Sequence, residues 1–257
     1  MLAAAQADYG RLVGVLYASG RFGGVINILV DGREAAAIPP LAAPRAIARI
    51  EVRVQPGPVY RFGRARGAPL APDTELPDGF ATGQPAETPV IQDAADAAAE
   101  GWRQTGHAKV DVAAQQVVAN HAADTLDADI RMAPGPVVRF GELRPKGYSR
   151  VRPDRIRRIA GLPTGEVYDP DAVQRAAVRL RRTQTFRSVA LTEAETLGPG
   201  NTMDITATVD EELPRRFGFG AELSSVDGVT LSGFWLHRNL LGGAERLRIE
   251  GEIAQIG

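Results

Sequence analysis

One eight-residue phrase occurs twice in the chain, and it constrains the fold more than any other feature. PGPVYRFG begins at Pro56, and PGPVVRFG begins 78 residues later, at Pro134. A repeat of fixed period indicates several copies of one structural unit. Segments around Phe22, His107 and Phe186 agree with this period, because each follows a helical pattern and precedes a strand. We therefore expect three copies of one unit, the first of them without its beginning.

The last copy shows the order of the unit most clearly. An alternating strand is predicted over 137–144, and a short helix follows with Pro153 in its first turn. Asp169 stands where an N-cap belongs and begins a second helix. Two strands, over 188–195 and 203–209, flank a Gly-Pro-Gly-Asn turn. The order is β-α-α-β-β, which predicts a three-stranded sheet covered by two helices. The apolar side of the second helix is predicted to consist of Val173, Ala176, Ala177 and Leu180.

The second copy repeats this order less regularly. A strand near 59–66 leads into a loose segment rich in Pro and Asp, which ends at Gly83. A helix over 90–104 and strands over 109–118 and 125–132 follow. The first copy begins within a helix over 3–17, so we expect additional sequence upstream. The apolar stripe of that helix is predicted to consist of Leu12, Val15 and Leu16.

The chain changes character near Arg215, where apolar and polar residues begin to alternate over segments of about ten residues. A turn at Asp227-Gly228 and another at Gly242-Gly243 separate these segments. Such a pattern is typical of membrane-barrel strands, and equally of an amphipathic meander on a soluble domain. The barrel interpretation implies further strands beyond the given sequence, since three strands cannot close a barrel. The predicted divisions are a partial first repeat (1–56), a second repeat (57–133), a third repeat (134–213) and the first barrel strands (214–257).

Composition and motifs argue against catalysis and against nucleic-acid binding. The net charge is -1 and there are no cysteines, so a positive field, disulfides and thiolate chemistry are excluded. No run of apolar residues is long enough for a membrane helix, and no signal peptide opens the sequence. The three histidines, His107, His121 and His237, fit no metal or catalytic spacing. We expect no enzyme activity, no cofactor and no metal, with His107 packed in a core and His237 near an interfacial aromatic belt.

Arginines are concentrated on the two predicted helices of the last repeat. Five arginines are predicted on the first helix, Arg150, Arg152, Arg155, Arg157 and Arg158. Arg175, Arg179 and Arg182 form a stripe opposite the apolar face of the second helix. A solvated helix face explains such charges in the simplest way. The alternative is a membrane-proximal basic patch that faces anionic lipid headgroups or a partner.

The chain resembles a known family in three places. They are GEVYDPDAVQRAAVRLRRTQTFRSVAL at Gly165 to Leu191, the alternating stretch from Val209 to Glu252, and NLLGG at Asn239 to Gly243. These segments are similar to the polypeptide-transport-associated (POTRA) repeats and first barrel strands of the BamA/TamA outer-membrane assembly superfamily. The number of repeats is most similar to TamA-type members. BamA-type and two-partner secretion proteins, or a non-membrane envelope adaptor built of such repeats, are the alternatives.

The resemblance implies a function and a location. A TamA-like protein would sit in the outer membrane of a Gram-negative bacterium, with this segment mainly in the periplasm. It would bind unfolded outer-membrane or autotransporter polypeptides and an inner-membrane-anchored, TamB-like partner, while its barrel contacts outer-membrane lipid. By resemblance, clients would add as strands to the edges formed by the strands after the second helix of a repeat. Those edges consist of Lys109, Val110, Asp111 and Val112 in the second repeat, and of Ser188, Val189, Ala190 and Leu191 in the third.

Overall fold

The computed structural model describes residues 2–39, 42, 44, 46–224 and 228–255 of the chain. Within these residues the strands form four three-stranded sheets, in agreement with the predicted α+β array of small modules. The chain divides into two units, Met1–Trp102 with Val110–Gly135, and Arg103–Lys109 with Pro136–Gly257. No helix of the described residues is long and apolar enough to cross a membrane.

The described residues of the first module include one α-helix and three strands. These are α1 (Leu2–Ala18), β1 (Val25–Val30), β2 (Arg33–Glu34) and β3 (Ile50–Gln55), with the sheet order β2-β1-β3. The helix predicted over 3–17 is confirmed. Its predicted stripe is wrong at Val15, whose surface is 65% exposed, because Val15 lies about 100° around the helix from the buried Leu16. The small core consists of Leu2, Ala5, Ile28, Val30, Ala35 and Ile38.

The second repeat has the predicted strands but only one helix. It comprises β4 (Arg61–Ala68), α2 (Thr88–Gln104), β5 (Asp111–Asn120) and β6 (Thr125–Ala133). The sheet order is β4-β6-β5, with β4 parallel and β5 antiparallel to β6. The two-helix cover predicted for every repeat is wrong here, because four prolines interrupt residues 69–87 and prevent a helix. Phe80 from that segment fills the core instead, with its ring centroid 5.4 Å from that of Phe62.

The last repeat has the predicted β-α-α-β-β order. It comprises β7 (Arg139–Lys146), α3 (Pro153–Ala160), α4 (Pro170–Arg182), β8 (Phe186–Glu193) and β9 (Thr202–Glu211), with the sheet order β7-β9-β8. The N-cap prediction is confirmed, because the Asp169 side chain accepts a hydrogen bond from the N–H of Asp171 over 2.8 Å. The apolar face of α4 buries Ala176, Ala177 and Leu180, while Val173 is half-buried against the core.

The duplicated phrase makes the same contacts in both complete repeats. Its Phe enters the core as Phe62 in the second repeat and as Phe140 in the last. In each copy the N–H of this Phe donates over 2.9 Å to the residue after a glycine, Gly83 or Gly165. The N–H of that glycine donates over 2.8 Å to the oxygen of the same Phe. The Arg of the phrase also donates to the glycine oxygen, so three successive bonds fix the first strand against the chain segment ahead of the long helix.

The glycine that ends the phrase stands at a β-bulge. The register with the parallel partner strand shifts at Gly63 in one repeat and at Gly141 in the other. A Cβ on Gly63 would lie 2.7 Å from Oδ1 of Asp127, and a Cβ on Gly141 would lie 2.2 Å from Oδ1 of Asp204. The Asp204 carboxylate also accepts the N–H of Glu142 over 2.7 Å. The bulge therefore favours a residue without a side chain, because an aspartate occupies the space beside it.

The C-terminal sheet is an antiparallel meander of β10 (Arg215–Ser224), β11 (Gly228–Arg238) and β12 (Arg246–Gln255). The turn predicted at Asp227-Gly228 falls partly on residues 225–227, which lie outside the described residues. Gly218 of β10 pairs with Phe234 of the adjacent strand β11, and a Cβ at Gly218 would lie 2.1 Å from the Phe234 ring. The glycine thus makes room for an aromatic ring. One face of the sheet exposes the apolar side chains of Phe217, Phe219, Leu231, Ile249 and Ile253.

Candidate functional site

The predicted client-binding residues lie at two sheet edges. Strands β5 and β8 are the outermost strands of their sheets, each paired on one side only. Ser188, Val189, Ala190 and Leu191 all lie within β8. Lys109 and Val110 precede β5, and only Asp111 and Val112 belong to it.

The pairing registers show which edge residues correspond. Val112 pairs with Met132, and Val189 pairs with Val209, where Met132 and Val209 each form the last buried position of a central strand. Asp111, Val112, Ala114 and Gln115 are therefore the counterparts of Ser188, Val189, Ala190 and Leu191, and Ala113 lies at a shift in the register. The sequence-based segment in the second repeat began two residues too early, because its alignment rested on His107 and Phe186. His107 is half-buried and Ala108 is the buried residue there, so the prediction of a core ring at His107 is wrong.

Each edge carries a charged side chain bound to its main chain at the corresponding residue. In β5, the Asp111 carboxylate accepts the N–H of Val112 over 2.8 Å. In β8, the Arg181 guanidinium donates to the main-chain oxygen of Val189 over 3.0 Å. We call these two side chains the edge caps. Charged residues at sheet edges are a known protection against unwanted strand pairing.

The arginines of the predicted basic patch differ in their roles. Arg155 donates through Nε to the oxygen of Gly243 over 2.9 Å, and Arg175 pairs with Asp169 over 2.7 Å. Arg179 donates through Nε to the oxygen of Ala160 over 3.0 Å, and so satisfies a carbonyl at the C-terminus of α3. The prediction that Arg175, Arg179 and Arg182 form one surface stripe is therefore wrong at Arg179, which is half-buried against the neighbouring helix. Arg158 and Arg182 are exposed.

The last repeat contacts the turn between β11 and β12. Arg152 donates its main-chain N–H to the oxygen of Gly242 over 3.1 Å. The turn itself is built by Asn239, whose Oδ1 accepts the N–H of Ala244 over 3.0 Å. Gly242 has a φ of 80°, a backbone conformation that glycine adopts without strain. The NLLGG sequence therefore forms a shaped turn that binds the start of α3.

A carboxylate near the end of β9 holds the loop that precedes α3. Oε1 of Glu211 accepts the main-chain N–H groups of Ser149, Arg150 and Val151 over 2.8, 2.9 and 2.9 Å. Burial alone would raise the pKa of the Glu211 carboxyl, but the hydrogen bonds from these N–H groups outweigh burial and lower its pKa. This residue was missed from the sequence, because it stands in a run of three acidic residues that suggests only solvated charge.

Two of the histidines lie beside aromatic side chains. Nδ1 of His121 lies 2.6 Å from the hydroxyl of Tyr60, and burial raises the pKa of that tyrosine. His237 is buried at the end of β11, with its ring centroid 5.8 Å from that of Trp235. Across the described ranges, no three His, Asp or Glu side chains are placed to hold a metal ion.

Comparison with known proteins bears on the last repeat and on the overall fold. Residues 138–212 match the family model described as POTRA, surface antigen variable number repeat. The last repeat matches the POTRA family. No curated protein matches the chain by sequence.

Two solved structures are similar to this chain in fold. BamA from Haemophilus ducreyi lacking POTRA domains 1–3 aligns with a TM-score of 0.63 and 20% identity, over 76% of this chain and 37% of that one. BamA POTRA3–5 from Haemophilus influenzae aligns with a TM-score of 0.57 and 16% identity, over 80% of each chain. The present chain thus spans about a third of the first structure's length. At these identities the likeness concerns the fold.

Proposed function

We propose that this chain is the periplasmic arm of an outer-membrane protein assembly or translocation factor. It binds extended segments of unfolded outer-membrane or autotransporter polypeptides and passes them toward the membrane. The observation that carries this proposal is that β5 and β8 are edge strands of POTRA-like sheets, each offering its main chain on one side. A client that adds as a strand gains main-chain hydrogen bonds, which place few demands on its sequence.

The exposure of β5 supports strand addition. Eight of its ten residues are exposed and none is buried, and they include Val117 and Val118. An incoming strand would cover these apolar side chains as well as the main chain. Binding of this kind needs neither cofactor nor nucleotide, so we infer a non-enzymatic role.

Chemical-shift mapping tests strand addition. An extended peptide with alternating apolar residues is titrated into the ¹⁵N-labelled chain. We expect the largest amide shifts within Asp111–Asn120 and Phe186–Glu193. A control peptide carries proline at alternate positions, where it lacks the N–H groups that a strand needs, and should cause no such shifts. Shifts confined to residues outside both strands would contradict the proposal.

The proposal extends to the C-terminal sheet, which we interpret as the first strands of an outer-membrane barrel. Its exposed apolar face is the supporting observation, since Phe219 is 89% and Ile253 75% exposed. Soluble surfaces rarely carry large contiguous apolar patches. We expect Phe219→Asp to reduce co-sedimentation with phosphatidylethanolamine–phosphatidylglycerol vesicles. Val15→Asp, a matched change at an exposed apolar residue of α1, should leave it unchanged. Equal sedimentation of all three proteins would favour an envelope adaptor with a non-membrane β tail.

The finer assignments belong to the same proposal. A TamA-type protein would also bind an inner-membrane-anchored, TamB-like partner through its first repeat, whereas a BamA-type or two-partner secretion protein would not. The exposed members of the basic patch are Arg158, Arg175 and Arg182. Arg175 pairs with Asp169, and Arg158 and Arg182 would face anionic lipid headgroups. Reversing both charges should weaken binding to phosphatidylglycerol vesicles. Unchanged vesicle binding would leave these arginines as an ordinary solvated helix face.

A further inference from the structure

The two edge caps bind opposite halves of the peptide group at corresponding residues. In β5 an anion, Asp111, occupies a main-chain donor, the N–H of Val112. In β8 a cation, Arg181, occupies a main-chain acceptor, the oxygen of Val189. A strand that pairs at either residue must replace the cap. The two edges therefore release side chains of opposite charge when they are used.

The helix that ends before each edge strengthens the difference. Helix α4 packs against β8 and carries four arginines and one aspartate. Helix α2 carries Asp93, Asp96 and Glu100 with one arginine. The helix that packs against β8 is thus basic, whereas the helix before β5 is acidic.

We propose that the two edges select extended segments of opposite charge, β8 preferring segments with Asp or Glu and β5 preferring segments with Lys or Arg. This inference rests on the proposed function, since it requires that clients bind by strand addition. A client carboxylate beside Val189 can form an ion pair with the Arg181 guanidinium, which the client's main chain has displaced from the Val189 oxygen. A client ammonium or guanidinium beside Val112 can likewise form an ion pair with the displaced Asp111 carboxylate. In both cases a charge-assisted bond is exchanged for another instead of being lost to water.

Two matched peptides test the selection. Both have about ten residues, the length of a typical sheet-edge strand, and alternate Val with Ser. One carries a central Glu and the other a central Lys. Each is titrated into the ¹⁵N-labelled full chain, and the amides of Asp111–Asn120 and Phe186–Glu193 are followed separately. We expect the Glu peptide to bind β8 roughly two- to fivefold more tightly than the Lys peptide, with the reverse order at β5, as for exposed ion pairs. High salt should remove both preferences.

Charge reversal at the caps sharpens the test. Arg181→Glu should reverse the preference at β8 and leave that at β5 unchanged, and Asp111→Lys should do the opposite. Arg182→Glu is the matched control, because it makes the same charge change one residue away, at a side chain that points elsewhere on α4. If Arg181→Glu does not fold, Arg181→Gln removes the charge alone and should abolish the preference at β8.

The outcomes separate this inference from the proposed function. Binding of both peptides at both edges with equal affinity would overturn the charge selection and leave strand addition standing. If Arg182→Glu reversed the preference as fully as Arg181→Glu, the preference would come from the overall charge of α4. The proposed role of the cap would then be overturned. If neither peptide shifts the amides of either strand, the proposed function fails and the inference fails with it.

Discussion

The second and last repeats have the same sheet but different helical layers. Both contain a parallel first strand with a bulged glycine, an antiparallel edge strand and a central strand of four buried residues. The last repeat covers this sheet with α3 and α4, whereas the second uses α2 and a proline-rich segment that delivers Phe80. The sheet and its opening phrase therefore define the unit. The helical cover can be exchanged, provided that some apolar side chain fills the space.

Truncating Phe80 gives the most direct test of that equivalence. Phe80→Ala in the second repeat and Ile156→Ala in the last should each destabilise their repeat by about 2–5 kcal/mol, because each leaves a cavity in a core. Urea unfolding followed by amide hydrogen exchange measures each repeat separately. Phe219→Ala, at an exposed site, should change neither. A loss of less than about 1 kcal/mol at Phe80 would mean that the proline-rich segment contributes no real core.

Acid should act on the last repeat more than on the second. The folded pKa of Glu211 is lowered, so its contribution is complete above the unfolded value of about 4.3 and is lost as the pH falls through the folded pKa. The position that corresponds to Glu211 in the second repeat is Pro134, which has no carboxylate. At neutral pH, Glu211→Gln should destabilise the last repeat by about 1–3 kcal/mol, because three N–H groups lose a charged acceptor.

The pH dependence provides its own control. Stability of each repeat is measured by urea unfolding and hydrogen exchange between neutral and acid pH. The difference between the native protein and Glu211→Gln should shrink as the pH falls through the folded pKa, while Glu195→Gln, at an exposed carboxylate, follows the native protein. A constant difference at all pH values would show that charge on Glu211 does not hold the loop.

The two bulge glycines should differ in their tolerance of a methyl group. A Cβ at Gly141 would approach main-chain atoms of Met203 and Asp204 at 3.0 Å as well as the Asp204 carboxylate. A Cβ at Gly63 meets only side-chain atoms of Asp127 and Thr125. A close contact with backbone atoms is harder to relieve than one with side-chain atoms. Gly141→Ala should therefore lower the free energy of unfolding by about 1–3 kcal/mol, and Gly63→Ala should lower it by less. Thermal unfolding measures both, with Gly251→Ala as a neutral control, and equal losses would contradict the comparison.

The smallest expected effect concerns the arginines of α4. Arg179→Ala removes a donor from the C-terminus of α3 and should cost about 1 kcal/mol, whereas Arg182→Ala, at an exposed side chain, should be close to neutral. The second repeat has no shorter helix beside α2, so none of its residues has the role that Arg179 has in the last repeat. Equal effects of the two substitutions in urea unfolding would return Arg179 to the surface stripe that the sequence suggested.

The sequence predicts the repeat well because its signals are local. The duplicated phrase, the Asp169 cap and the alternating strands each depend on neighbours within a few residues. The prolines of the second repeat also marked a loose segment in the sequence, at the place where the structure has no helix. Errors arose at Val15 and Arg179, where helical periodicity places a residue on a face but does not reveal what covers that face.

The candidate site depends on contacts that no periodicity records. Arg181 reaches the oxygen of Val189, and Glu211 gathers three N–H groups from a loop some sixty residues earlier in the chain. Each is a long side chain whose direction is set by the packed elements around it. The sequence places Arg182 on the predicted stripe and gives Arg181 no role, whereas in the folded last repeat Arg181 is the edge cap and Arg182 is an exposed charge.

The parallel pairing of β7 with β9 has a consequence for how a repeat is made. Arg139 begins the unit, yet its partner Thr202 lies near the end, so this pairing has to close a long loop. In a chain that emerges from a ribosome or a translocation pore, the first strand can bond to Gly165 and Glu166 through one edge as soon as these residues emerge. Its other edge lacks its partner until nearly the whole unit has emerged, so the sheet is completed last.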